Sequence, residues 1–110
     1  MWAERILGSG ALFAPGLIRA EVASVLRRLE RSHSITAHEA NAAYEDCMQL
    51  ELELHAFDDF GNRVWELRHN VSSYDAWYVA LAEALDLPLA TLDRRLAGAD
   101  GPKCRFLTST

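Results

Sequence analysis

Three carboxylates stand where helices should begin. Asp75 follows Ser72-Ser73-Tyr74 and opens a run, Ala76-Trp77-Tyr78-Val79-Ala80-Leu81-Ala82-Glu83, that is apolar almost all round. A helix of that kind is packed within a fold, not laid on its surface. Asp93 closes the stretch Leu87-Pro88-Leu89-Ala90-Thr91-Leu92 and stands directly before Arg94-Arg95. Glu21 lies three residues after Ile18 and four before Val25, at the border of a helix's apolar stripe. Each acid thus follows a predicted strand or loop, or opens a helix. In open parallel α/β sheets, ligands bind beyond the carboxyl ends of the strands. Carboxylates ~5 Å apart repel by about 3 kcal/mol per pair at an effective dielectric of 20. Three converging acids therefore call for a cation, and oxygen-only ligands favour Mg2+ or Mn2+.

Plainer readings of the same residues stand beside this one. Ser72-x-x-Asp75 fits a capping box, and a charge there gains ~0.3–1 kcal/mol from the helix dipole. Asp93 fits an N-cap. Glu21 fits a helix-dipole acid or an ion pair with Arg19 or Arg28. No other constellation competes. His33, His38, His55 and His69 form no HxxxH or HExxH pair, and there is no glycine-rich phosphate loop or nucleophile elbow.

The elements that must position these acids follow from hydrophobic period and breakers. Residues 2–7 read as the end of a helix closed by Gly8 and Gly10. Ala11-Leu12-Phe13-Ala14 reads as a buried strand before the Pro15-Gly16 turn. Helical spacing of Ile18, Val22, Val25 and Leu29, widened by Leu26, predicts a helix over 17–31. Ser34 or Thr36 can cap the next helix, which ends near Leu50 with Ala40, Ala43, Tyr44 and Cys47 inward. Residues 51–56 alternate with period two, as a strand with one polar face does. Asp58 or Asp59 can open a helix through Val64, Trp65 and Leu67. After the Asp75 helix come a strand at 88–92, a short helix from Arg94, a turn at Gly98 and Gly101-Pro102, and a strand at 104–107. Strands separated by helices imply an α/β layer fold with a mainly parallel sheet.

The 110 residues suit one domain with a single core. A formal charge of −5 argues against a protein that holds nucleic acid by bulk positive charge. It leaves room for one that meets phosphate through bound cations and a few arginines. All of the eleven basic residues except Lys103 are arginine, the residue suited to bidentate phosphate contacts. Nothing approaches a membrane-spanning run, and Met1-Trp2-Ala3-Glu4-Arg5 does not read as a signal peptide. Cys47 and Cys104 form no CxxC pair, so the expected compartment is the reducing cytoplasm.

Three stretches together resemble the PIN-domain family, and within it the VapC toxins of bacterial toxin–antitoxin pairs. They are Ala14-Pro15-Gly16-Leu17-Ile18-Arg19-Ala20-Glu21-Val22-Ala23-Ser24-Val25-Leu26-Arg27-Arg28, the run from Arg68 through Asp75 to Glu83, and Pro88-Leu89-Ala90-Thr91-Leu92-Asp93-Arg94-Arg95-Leu96-Ala97. Their order and spacing cover nearly the whole chain. The resemblance implies a three-layer α/β/α domain over 1–110 and a Mg2+- or Mn2+-dependent endoribonuclease. It matches Glu21, Asp75 and Asp93 to acidic site residues, with Thr91 as an accompanying hydroxyl. It also implies an RNA substrate, met by Arg19, Arg68, Arg94 or Arg95, and a cognate VapB-like antitoxin.

One departure shapes the expectation. The family opens with a central strand carrying the first site aspartate, whereas here no aspartate precedes Glu21 and the only earlier acid is Glu4. The chain is therefore expected to be N-terminally incomplete, with impaired activity. Uncovered apolar faces should then favour a homodimer. The alternative function is an inactive remnant that binds an antitoxin or a second copy of itself.

Overall fold

The computed structural model describes residues 12–108, so the expected helix end at 2–7 lies outside the described residues. The elements run β1 (Leu12–Pro15), α1 (Ile18–Arg31), α2 (Ala37–Gln49), β2 (Leu52–His55), a 3-10 turn (Phe57–Asp59), α3 (Gly61–Glu66), α4 (Ser73–Leu85), β3 (Leu89–Thr91), α5 (Arg94–Ala97) and β4 (Phe106–Thr108). The order matches the sequence pattern, with the 3-10 turn added.

α4 is the organising element. Its sequence is apolar on nearly every side, and Ala76, Trp77, Val79, Ala80, Leu81 and Ala82 are all buried. Full burial of a Val or Leu side chain is worth about 1.5–3 kcal/mol. Val64 from α3, Leu67 at its C-cap, Val71 and Leu96 complete the core around it, with Phe60, Leu89 and Phe106 packed at its edge. Ser72 caps the helix, and Asp86 ends it in the left-handed conformation at φ 52°. That reversal sends the chain into β3. Gly101 also has positive φ, at 107°, and a Cβ there would come within 3.1 Å of Leu67 Cδ2. Glycine is thus required twice over, by its backbone angle and by close approach to the core.

Both strand pairings are parallel. β1 lies on β2 with Leu12 opposite Leu52, and β3 lies on β4 with Leu89 opposite Phe106. The α/β class is as expected, but the single sheet is not seen. Among the described residues the strands form two separate pairs. α4 packs against both β1 and β3, so side-chain packing joins the pairs where backbone hydrogen bonds do not.

Several local expectations need correction. Thr36, not Ser34, caps α2, in a full capping box with Glu39. Of the expected inner face of α2, Ala40 is buried and Cys47 half-buried, while Ala43 and Tyr44 are exposed, because α2 packs chiefly against α1 alone. α1 has the expected stripe but no buried residue, and Val25 is exposed. β2 does not alternate cleanly, since Leu54 is exposed and His55 half-buried. Neither Asp58 nor Asp59 caps α3. They belong to the 3-10 turn, and Phe60 stands at the N-cap without a side-chain bond.

Candidate acidic site

Glu21 reaches its place through the turn after β1. Gly16 N–H donates to the His55 carbonyl at 3.0 Å, which ties that turn to the end of β2. α1 then begins at Ile18, and Glu21 falls in its first turn, half-buried. Its Oε1 accepts a hydrogen bond of 2.7 Å from the Tyr78 hydroxyl. The ion pairs with Arg19 or Arg28 are absent among the described residues. Arg19 instead donates to the Leu50 carbonyl at 2.8 Å, so this guanidinium ties α1 to the end of α2.

Asp75 lies one turn before Tyr78 on α4, half-buried. Burial and the bond to Glu21 push the Tyr78 phenol well above its ordinary pKa, and the nearby Asp75 charge adds to the effect. Tyr78 therefore stays protonated and acts as a donor. Tyr78 also locates the two acids relative to each other, because Glu21 touches its hydroxyl and Asp75 acts on it from the preceding turn. The capping box at Asp75 is half formed. Its backbone N–H donates to Ser72 Oγ at 3.2 Å, but its carboxylate makes no hydrogen bond or ion pair among the described residues.

Asp93 is a true N-cap. Its Oδ1 accepts from Arg95 N–H at 2.9 Å and Leu96 N–H at 3.3 Å. The Thr91 hydroxyl accepts from Asp93 N–H at 3.0 Å and shapes the bend out of β3. Capping occupies Oδ1 and leaves Oδ2 uncommitted among these bonds, just as Tyr78 occupies only one oxygen of Glu21. Structural and ligand roles are thus compatible for both acids.

The structure brings Glu21 and Asp75 to one neighbourhood around Tyr78. It does not gather all three acids, for no group of three or more His, Cys, Asp or Glu side chains forms a metal cluster among the described residues. Tyr78 is the residue that sequence reasoning passed over. Its signal was present as a phenol on a buried helix one turn from an acid, since a buried Tyr O–H usually finds a partner. Of the other arginines proposed for phosphate, Arg68 lies over the exposed Trp65 ring at 4.4 Å, and Arg94 and Arg95 are exposed beside Asp93.

Glu21 from α1 and Asp75 from α4 thus make up a candidate oxygen-only site near Tyr78. A family model described as the PIN domain matches residues 1–102. The chain belongs to the PIN-domain family. It is similar to "VapC ribonuclease Mb0985" of Mycobacterium bovis, at 36% identity over 102 residues, which is 93% of this chain and 80% of that protein. "Ribonuclease VapC1" of Mycobacterium tuberculosis is 46% identical over 94 residues, covering 84% of this chain and 71% of the relative. "Ribonuclease VapC3" of the same species is 37% identical over 93 residues, covering 84% and 68%. PIN-domain nucleases of the VapC kind are metal-dependent as a class. The donor set fits such a requirement. Hard divalent cations take carboxylate oxygens, and Mg2+ is commonly held by one or two carboxylates with waters completing the shell. Glu21 and Asp75 are the two candidates here. Among the described residues no helix is long and apolar enough to cross a membrane.

Proposed function

We propose that this chain is a Mg2+- or Mn2+-dependent endoribonuclease, the toxin of a toxin–antitoxin pair, with Glu21, Asp75 and Asp93 as its acidic site residues. The observation that carries this reading is a pair of carboxylates near one phenol: Glu21, which accepts its hydrogen bond, and Asp75, whose charge acts on it, neither with a cationic partner among the described residues. The names of the VapC relatives support RNA as the substrate and an antitoxin of the VapB kind as the partner. The reading treats 1–110 as one PIN-like domain working in the cytoplasm, where free Cys47 and Cys104 are stable as thiols.

Each residue has a definite task. Glu21 and Asp75 would hold the ion from α1 and α4, and Asp93, whose Oδ1 caps α5, would contribute its other oxygen. Mg2+ or Mn2+ would supply Lewis-acid stabilisation of phosphate charge and activation of water. Tyr78 keeps its proton and holds Glu21. Arg68, Arg94 and Arg95 present exposed guanidinium groups for the RNA backbone, which the chain's net negative charge would otherwise repel. The test is cleavage of a single-stranded RNA with Mg2+, with Mn2+ and with EDTA. Cleavage should need the ion and disappear in Asp75→Asn. Equal cleavage in EDTA would overturn the reading.

A second reading, an inactive relative that binds an antitoxin or a second copy, is favoured by one observation. The three acids do not form a single cluster among the described residues. The exposed Leu17, Val25, Tyr44, Met48 and Leu54 offer apolar surface for a homodimer or an antitoxin helix. Sedimentation showing a dimer, with no cleavage in either ion, would select this reading.

A further inference from the structure

We infer that Tyr78 is a positioning residue for the acidic site. Its hydroxyl holds one oxygen of the Glu21 carboxylate and leaves the other, Oε2, free to meet an ion. The inference rests on the metal-site reading of these acids and adds a residue to it.

The geometry is specific. The bond is 2.7 Å long, joins residues 57 apart in sequence and is part-buried. It is the one hydrogen bond that the Glu21 side chain makes among the described residues, and it uses one carboxylate oxygen only. A glutamate has three side-chain torsions, so an unheld Glu21 would sample many positions at the start of α1. Tyr78 has two torsions and stands half-buried on α4, whose neighbouring positions Trp77 and Val79 are buried. The rigid partner thus sets the position of the flexible one. Tyr78 and Asp75 stand three apart on the same helix, so one turn of α4 carries both the acid and the donor that holds the second acid. Any rigid-body shift of α4 moves the two together and preserves their relation.

A purely structural role would be a tether between α1 and α4. The two roles separate in a metal titration, because a tether acts regardless of what Glu21 can ligate. Mn2+ binding is followed by electron paramagnetic resonance on the full chain, for wild type, Tyr78→Phe, Glu21→Gln and the double variant, with Asp75→Asn as reference. Tyr78→Phe removes one oxygen and keeps the ring. It should raise the Mn2+ dissociation constant about tenfold, as loss of a residue that orients a ligand typically does. In the Glu21→Gln background the same change should have no further effect. An unchanged dissociation constant in Tyr78→Phe, or an equal loss in both backgrounds, would overturn the inference.

The reference separates the two layers. If Asp75→Asn weakens Mn2+ binding and Tyr78→Phe does not, the metal site stands and the positioning role falls. If Asp75→Asn binds as wild type does, both fall. Should Tyr78→Phe fail to fold, Glu21→Asp carries the test, since it keeps the charge but withdraws the carboxylate from the phenol. It should lose affinity as well, and wild-type affinity there would contradict the positioning role.

Discussion

Asp75 and Glu83 sit on the same helix, two turns apart, and lead opposite lives. Glu83 is fully engaged. Its Oε1 accepts from Arg63 Nε at 2.7 Å, and its Oε2 accepts from Arg63 Nη2 at 3.0 Å and from Lys103 N–H at 2.7 Å. Arg63 also donates to the Gly101 carbonyl at 2.9 Å, so the pair clamps the 101–103 loop against α3 and α4. The guanidinium holds the Glu83 carboxyl below its ordinary pKa, outweighing the opposing effect of burial. Asp75 is half-buried with no such partner among the described residues. The fold thus neutralises one carboxylate of α4 with an arginine and gives the other no cationic partner among the described residues.

That contrast can be broken or sharpened by mutation. The largest expected effect is on chemistry. Asp75→Asn should reduce metal-dependent RNA cleavage by about 100-fold or more, because an ill-placed reacting group costs that much. Its thermal midpoint should change little, and a large drop would make Asp75 structural after all. Glu83→Ala should do the reverse. It removes the two Arg63 bonds at a part-buried place and the bond from Lys103 N–H, costing about 2 kcal/mol after discounting for partial exposure. In a chain this size that lowers the melting midpoint by ~10 °C, while the folded variant keeps its Mn2+ affinity.

The clamp also has a signed pH dependence. The folded pKa of Glu83 lies below its unfolded value of 4.5. Its stabilisation is therefore present above 4.5 and lost as pH falls through the lower folded value. The gap in melting temperature between wild type and Glu83→Gln should narrow as the solution is acidified below 4.5. A gap unchanged in acid would mean the ion pair contributes nothing. The smallest effect is expected at Ser72, whose Oγ accepts from Asp75 N–H. Ser72→Ala should cost about 1 kcal/mol of stability and leave Mn2+ affinity intact. A matching loss of affinity would tie the cap to the site.

How much of this was legible beforehand differs along the chain. The buried α4, its Ser72 cap and the Asp93 cap were readable because each is local: an apolar run, an oxygen before a helix, an acid before two arginines. The α/β class followed from the alternation of strands and helices. The Arg63–Glu83 clamp and the Tyr78–Glu21 bond were not readable, since their partners lie 20 and 57 residues apart and no short-range rule links them. The exposed Tyr44, Val25 and Leu54 escaped prediction for the same reason. Periodicity tells which face of an element is apolar but not whether another element arrives to cover it. The separation of the strands into two pairs is likewise a property of tertiary pairing, and short strands of three or four residues carry little register information of their own.

The central claim is that the unpaired acid of α4 binds a divalent cation while its paired neighbour does not. The most direct measurement is a side-by-side Mn2+ titration of wild type, Asp75→Asn and Glu83→Gln by electron paramagnetic resonance, at neutral pH and a temperature where all three are folded. The account predicts that Asp75→Asn weakens binding at least tenfold and that Glu83→Gln titrates as wild type does. Equal affinity in wild type and Asp75→Asn, or a loss confined to Glu83→Gln, would contradict it.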